Sequence, residues 1–246
     1  MKSAITMTVV AGLMIFGVAS AAQAQNQFFL WQDVHINPGK AAEFEQVRAG
    51  RNTGMAAANV RFGRTVYSDD RGTFRLTIPL ANMADLDRMR TQESAMTGGN
   101  PTLAREVIHH IETSIQQLRS ELSYLPITPR VPADEVGFYR GFHWYLKFGT
   151  ADEAADIVRQ IRALYEENNL QVGYTFFTEV TGSGPDLSAF LPARDAADFY
   201  SNYFAALRGA PVGALVAQLN ELSYRTDNLN STRRQDLDYQ PPNEMS

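Results

Sequence analysis

Residues 28–36, Phe-Phe-Leu-Trp-Gln-Asp-Val-His-Ile, are aromatic-rich and alternate apolar with polar, the period-2 signature of a half-buried strand. Asn37-Pro38-Gly39 breaks the run, and residues 40–57 then bring Phe44, Val47, Arg51 and Met55 onto one face at helical spacing. Strands are expected at 60–67 and 73–80 around a turn at 68–72. A helical section opens at 83–90, Gly98-Gly99-Asn100-Pro101 interrupts it, and 103–118 is read as a further helix, with a closing strand at 122–127. The second half follows the same plan. A strand at 138–148 leads to Thr150 and Glu153, a capping box for a helix that carries Ala154, Ile157, Val158, Ile161, Leu164 and Tyr165. Strands at 170–180 and 187–191 flank Gly182-Ser183-Gly184-Pro185, helices follow at 193–207 and 212–219, and a last strand runs over 222–229.

The two halves share more than their plan. Glu121-Leu122-Ser123-Tyr124 recurs as Glu221-Leu222-Ser223-Tyr224, Ile78-Pro79 matches Leu191-Pro192, and Phe62-Gly63 before Tyr67 matches Val172-Gly173 before Phe177. Each half reads β-α-β-β-α-β, the ferredoxin-like arrangement, whose sheet is covered by helices on one face only. The expected fold class is therefore α+β: two tandem ferredoxin-like repeats with their sheets packed face to face into one barrel. The divisions are a signal peptide at 1–24, repeat 1 at 25–127, a linker at 128–136 within a proline-rich stretch, repeat 2 at 137–230 and a polar, loosely packed tail at 231–246.

On that element order and internal repeat, over nearly all of residues 28–230, the chain resembles the dimeric α+β barrel superfamily. That group includes the antibiotic-biosynthesis monooxygenases, EthD-like proteins and stress-responsive barrels. The resemblance implies architecture more than activity. It also implies that related enzymes act on aromatic or polyketide-like substrates without a metal or bound cofactor. Some relatives hold haem through a helix histidine of the second copy, and here no histidine follows His143.

Composition narrows the classes further. The 246 residues are 44% hydrophobic with a net charge of −5, which argues against a nucleic-acid partner. There is no cysteine, so disulfides and thiolate metal sites are excluded. Lys2, an apolar run over 4–19 and Ala22-Gln23-Ala24 form a Gram-negative-type signal peptide with cleavage after Ala24, giving a periplasmic or secreted protein with no membrane association thereafter. The aromatic residues Phe199, Tyr200, Tyr203 and Phe204 on one helix leave room for a homodimer.

Strand alternation also sorts the candidate chemistry. Leu30, Val34 and Ile36 are placed under the helices, as are Phe142, Trp144, Leu146 and Phe148. Trp31, Asp33, His35, Arg75, His143, Tyr145 and Lys147 are then expected to line the barrel. Three readings of this set stand side by side. It is paired charge at a wet barrel mouth. It is a pocket for a small aromatic or apolar molecule, with Trp31, Arg75, Tyr145 and Lys147 as binding residues. Or it is a catalytic site, monooxygenase- or isomerase-like, with His35 or His143 as base, Asp33 orienting it and Arg75 or Lys147 holding an oxyanion. A structural or stress-related barrel with a filled interior is the remaining alternative. No metal is expected, because His109 and His110, read as neighbours on a helix, diverge by roughly 100°; that no cofactor is expected is what the resemblance implies.

Overall fold

The computed structural model describes residues 27–96, 100–207 and 209–242, so the expected signal peptide lies outside the described residues. Strand β1 (Phe28–Ile36) leads to helix α1 (Ala41–Ala57), then to the hairpin β2 (Thr65–Asp69) and β3 (Thr73–Leu80). Helices α2 (Asp85–Ser94) and α3 (Pro101–Val107) precede β4 (Ile108–Leu118). The second half consists of β5 (Phe138–Leu146), α4 (Ala151–Glu167), β6 (Thr175–Gly182) and β7 (Leu187–Ala193). Helix α5 (Ala196–Asp198) then runs through a π turn (Phe199–Tyr203) into α6 (Phe204–Ala206), followed by α7 (Val212–Glu221) and β8 (Ser223–Arg233). Among the described residues no helix is long and apolar enough to cross a membrane.

All eight strands close into one antiparallel barrel in the order β1-β3-β2-β8-β5-β7-β6-β4, with β4 returning to β1. The order β4-β1-β3-β2 in the first half corresponds to β8-β5-β7-β6 in the second. The seams between halves are β2 on β8 and β4 on β6. Closure leaves no open sheet edge, which removes the main route to edge-to-edge aggregation. The β4–β6 seam is tight. Gly182 has φ +131°, and a Cβ there would lie 2.5 Å from Ser114 Cα, so only glycine fits.

Strand faces follow the alternation. Leu30 packs with Ile78, Leu80 and Ile115, and Val34 packs with Phe44 of α1. Trp144 and Phe176 lie under α4 and α7 with Val158, Ile161 and Leu219. Between the two sheets, inside the barrel, Phe29, Trp31, Tyr67, Tyr139, Phe177 and Phe190 form a separate aromatic core.

Five expectations are corrected. Residues 108–118 form a strand, not a helix, and with β4 supplying the fourth strand of the first half, 122–127 form no closing strand. Only Tyr124 makes an isolated bridge there, to Tyr174. The Glu-Leu-Ser-Tyr recurrence is consequently not a structural equivalence: the first copy follows β4, whereas Ser223 and Tyr224 open β8. Thr150 stands at the N-cap of α4 without forming the capping box; its hydroxyl donates to the carbonyls of Lys147 and Leu222 instead. Finally, residues 231–242 are not loose. They complete β8, exchange backbone hydrogen bonds between Arg64 and Tyr239 (2.9 Å each), and bury Leu237 and Tyr239 against the first half. The Tyr239 hydroxyl donates to the Val60 carbonyl (2.9 Å) and Asp238 accepts from the Val66 amide (2.7 Å).

Candidate functional site

The barrel and its mouth gather six of the seven expected residues, all but Lys147. β1 and β3 pair Asp33 opposite Arg75, and the guanidinium grips the carboxylate at two points, Nε to Oδ1 at 2.7 Å and Nη2 to Oδ2 at 2.8 Å. Arg75 also lies over the Trp31 ring, 4.5 Å from its centroid, and reaches across the lumen to His143 Nε2 at 3.4 Å. The Nδ1 of His143 is 2.7 Å from the Ser188 hydroxyl. His143 is buried, and its pKa is held well below the usual histidine value, first by burial and then by the neighbouring Arg75. Burial opposes the charge on Arg75, but the carboxylate of Asp33 more than offsets it and the guanidinium pKa is raised. The fifth, Tyr145, is half-buried at the barrel mouth with Arg225 stacked on it, 4.4 Å from the ring centroid.

This network is packed rather than open. The free space bounded by Trp31, Tyr67, Arg75, Tyr139, Phe177 and Phe190 is about 30 Å3, enough for one or two water molecules. Asp33 is engaged by Arg75 and orients neither histidine, and a neutral His143 facing a guanidinium is a poor base. His35 lies further along β1, at the mouth, where its ring stacks on His110 (centroids 4.1 Å apart). Lys147 does not line the barrel. It follows the end of β5, exposed, with its ammonium donating to the Glu221 carbonyl at 2.6 Å. Phe148 is likewise fully exposed rather than under a helix.

The large cavity is elsewhere, and the alternation argument missed it because it lies on the helix-facing side of the sheet. Between β5–β7 and the α4, α6 and α7 helices, about 290 Å3 is free. Its floor is Phe142, Trp144, Phe176 and Ala189, and its roof includes Ile161, Tyr203, Leu207, Val216 and Leu219. The π turn inserts one extra residue per turn at Phe199–Tyr203, and such bulges are frequent at functional sites. Tyr203, at its end, meets Tyr165 hydroxyl to hydroxyl at 2.9 Å. The Tyr174 hydroxyl is buried without a hydrogen-bond partner. Burial pushes the Tyr165 phenol up to about 12 and raises Tyr174 and Tyr203 as well, so all three remain protonated at neutral pH. Among the described residues its lining contains no carboxylate, lysine or histidine. Of the four aromatic residues Phe199, Tyr200, Tyr203 and Phe204, Phe199 and Tyr203 are buried within the chain itself, whereas Tyr200 and Phe204 are exposed.

No family model matches the sequence, and no curated protein matches it significantly. Solved structures do share its fold. An anthrone oxidase-like protein superimposes with a TM-score of 0.63 at 10% identity, over 92% of this chain and 97% of that one. A candidate monooxygenase from Lactobacillus acidophilus NCFM gives 0.52 at 10% identity, over 88% and 97%. Another from Fusobacterium nucleatum subsp. nucleatum gives 0.54 at 8% identity, over 84% and 92%. At such identities the likeness is one of fold: a closed α+β barrel of the kind these proteins share.

Proposed function

We propose that this protein binds a small apolar, partly aromatic molecule, and that it does so in the cavity between the second-half helices and the sheet rather than inside the barrel. The observation that carries the reading is the 290 Å3 of free space walled almost wholly by apolar side chains, against about 30 Å3 in the lumen. Ligand sites are typically such concave apolar pockets with a few convergent polar groups. Here Tyr174, with its unpartnered hydroxyl, supplies a donor for one polar atom of the guest. Burying roughly 200 Å2 of apolar ligand surface would contribute about 5 kcal/mol before the costs of association.

The names of the fold neighbours, two candidate monooxygenases and an anthrone oxidase-like protein, support an oxygenase as the second reading; a cofactor-independent oxygenase or isomerase is the form that the resemblance in the sequence implies. Proton abstraction needs a base poised near neutrality. The cavity offers only phenols held protonated by burial, which favours binding. The matching strand orders of the two halves support origin by duplication of one ferredoxin-like unit. Export through the N-terminal segment belongs to the same proposal, and N-terminal sequencing of protein from the periplasm should begin at Gln25.

The test uses the apolar fluorophore N-phenylnaphthylamine and native mass spectrometry of protein purified from its own compartment. Wild type should bind the probe, and Ala189→Phe or Val216→Phe, which fill the cavity, should weaken binding at least tenfold while keeping or raising the melting temperature. Equal binding by wild type and both folded filled variants would overturn the assignment.

A further inference from the structure

We infer that the barrel mouth carries a binding site for a divalent first-row transition ion of the zinc class, formed by His35 of β1 with His110 and Glu112 of β4. The site is independent of the helix–sheet cavity. Among the described residues these three are a group whose ligand atoms all lie within 4.8 Å of one another.

The placement comes from strand register. His35 is paired with His110 and Asp33 with Glu112, so all four side chains share the lumen-facing side at the mouth. Register then shifts: Ile36 pairs with Ile108, leaving His109 as the extra residue of a β-bulge. Consecutive strand side chains normally point to opposite faces, but the bulge brings His109 beside His110, Nδ1 to Nδ1 at 2.6 Å.

The distances suit a chelate. Ligand atoms about 2.1 Å from a tetrahedral ion stand about 3.4 Å apart. His110 Nε2 is 3.5 Å from Glu112 Oε1, and His35 Nε2 is 3.9 Å from the same oxygen. Each imidazole is also held from behind, as metal-bound histidines are. His110 Nδ1 meets His109, and His35 Nδ1 lies 3.4 Å from the Thr73 hydroxyl. The two rings are stacked nearly parallel with centroids 4.1 Å apart, so on binding each imidazole turns out of the stack to direct its in-plane Nε2 lone pair at the shared ion, with Nδ1 as its donor. His35 Nε2 is buried and has no hydrogen-bond partner, the state of a ligand atom awaiting its ion.

The surroundings tolerate a cation. The nearby guanidiniums are neutralised, Arg75 by Asp33 and Arg225 by Asp227. Two imidazoles and one carboxylate suit zinc, copper or nickel better than calcium or magnesium. The His110 and Glu112 side chains are nearly half-exposed, so solvent or a small anion would complete the coordination.

The experiment is titration of Zn2+ into chelator-treated full-length mature protein by calorimetry, with Co2+ visible spectra as a second readout. One ion per chain should bind, and Co2+ should show the ligand-field bands of nitrogen and oxygen coordination. His35→Ala and His110→Ala should each weaken Zn2+ at least tenfold, and together abolish the stoichiometric site without changing the circular dichroism. Glu112→Gln should weaken it as well, and His109→Ala, which removes only a supporting contact, should weaken it less than either ligand variant. Binding that survives the double variant, or that is lost with His109 while indifferent to His35, would overturn the proposal and mark ordinary surface histidine binding.

Discussion

The buried Asp33–Arg75 pair makes a quantitative prediction. Asp33→Asn keeps the shape and one acceptor but removes the charge and one of the two guanidinium contacts, made at 2.7 and 2.8 Å in the native protein. Arg75 would then be left on the faces of Trp31 and Phe190 without its counter-charge. Breaking a fully buried pair costs roughly 3–5 kcal/mol. The side chains here are 15% and 22% exposed, so solvent recovers part of that, and about 2–3 kcal/mol is expected. For a domain of this size that lowers the melting temperature by roughly 5–10 °C. Thermal melts and urea denaturation of wild type, Asp33→Asn, Arg75→Met and the double variant form a complete cycle. Because Arg75→Met removes the orphaned cation, the double variant should be more stable than the sum of the singles implies, by at least about 1 kcal/mol. A loss below about 0.5 kcal/mol in Asp33→Asn with strict additivity in the cycle would refute the view that this pair organises the lumen.

Two further predictions follow from burial. His143 stays neutral in the native state while an unfolded histidine protonates below pH 6.5, so stability should fall as pH drops below that value, by about 1.4 kcal/mol per unit. In His143→Gln that slope is removed, and urea midpoints of the two proteins between pH 6.5 and 5 should converge; parallel curves would contradict a neutral His143. Tyr239→Ala should cost about 3–4 kcal/mol, because the ring is 4% exposed and its hydroxyl is bonded to Val60. A change under 1 kcal/mol in urea denaturation would show that the C-terminal segment does not strap the first half.

Much of the barrel is legible in strands whose two faces meet different surroundings. In β1 and β3 the alternation puts Leu30 and Ile78 under helices and Trp31 and Arg75 inside, and both placements hold. Residues 108–118 misled because Ile108, Ile111, Ile115 and Leu118 fall at helical as well as irregular strand spacing. The three isoleucines and Thr113 there were the available signal for a strand. Reading that segment as a helix is what hid His110 from His35. The cavity was missed because its walls are ordinary apolar core positions, and free volume between them is not a property of any one residue.

The amino-acid sequence by itself determined the α+β class, the faces of β1, β3 and most of β5, and the lumen chemistry of Trp31, Asp33, Arg75 and His143, since period and polarity are local. Tertiary structure alone decided that the lumen is filled, that the C-terminal segment folds back over Val60 and Arg64, that an apolar cavity opens under α7, and that a bulge turns His109 toward His110. Those outcomes depend on barrel closure, which sets register and inter-layer spacing between residues up to the whole chain apart, and no local pattern encodes them.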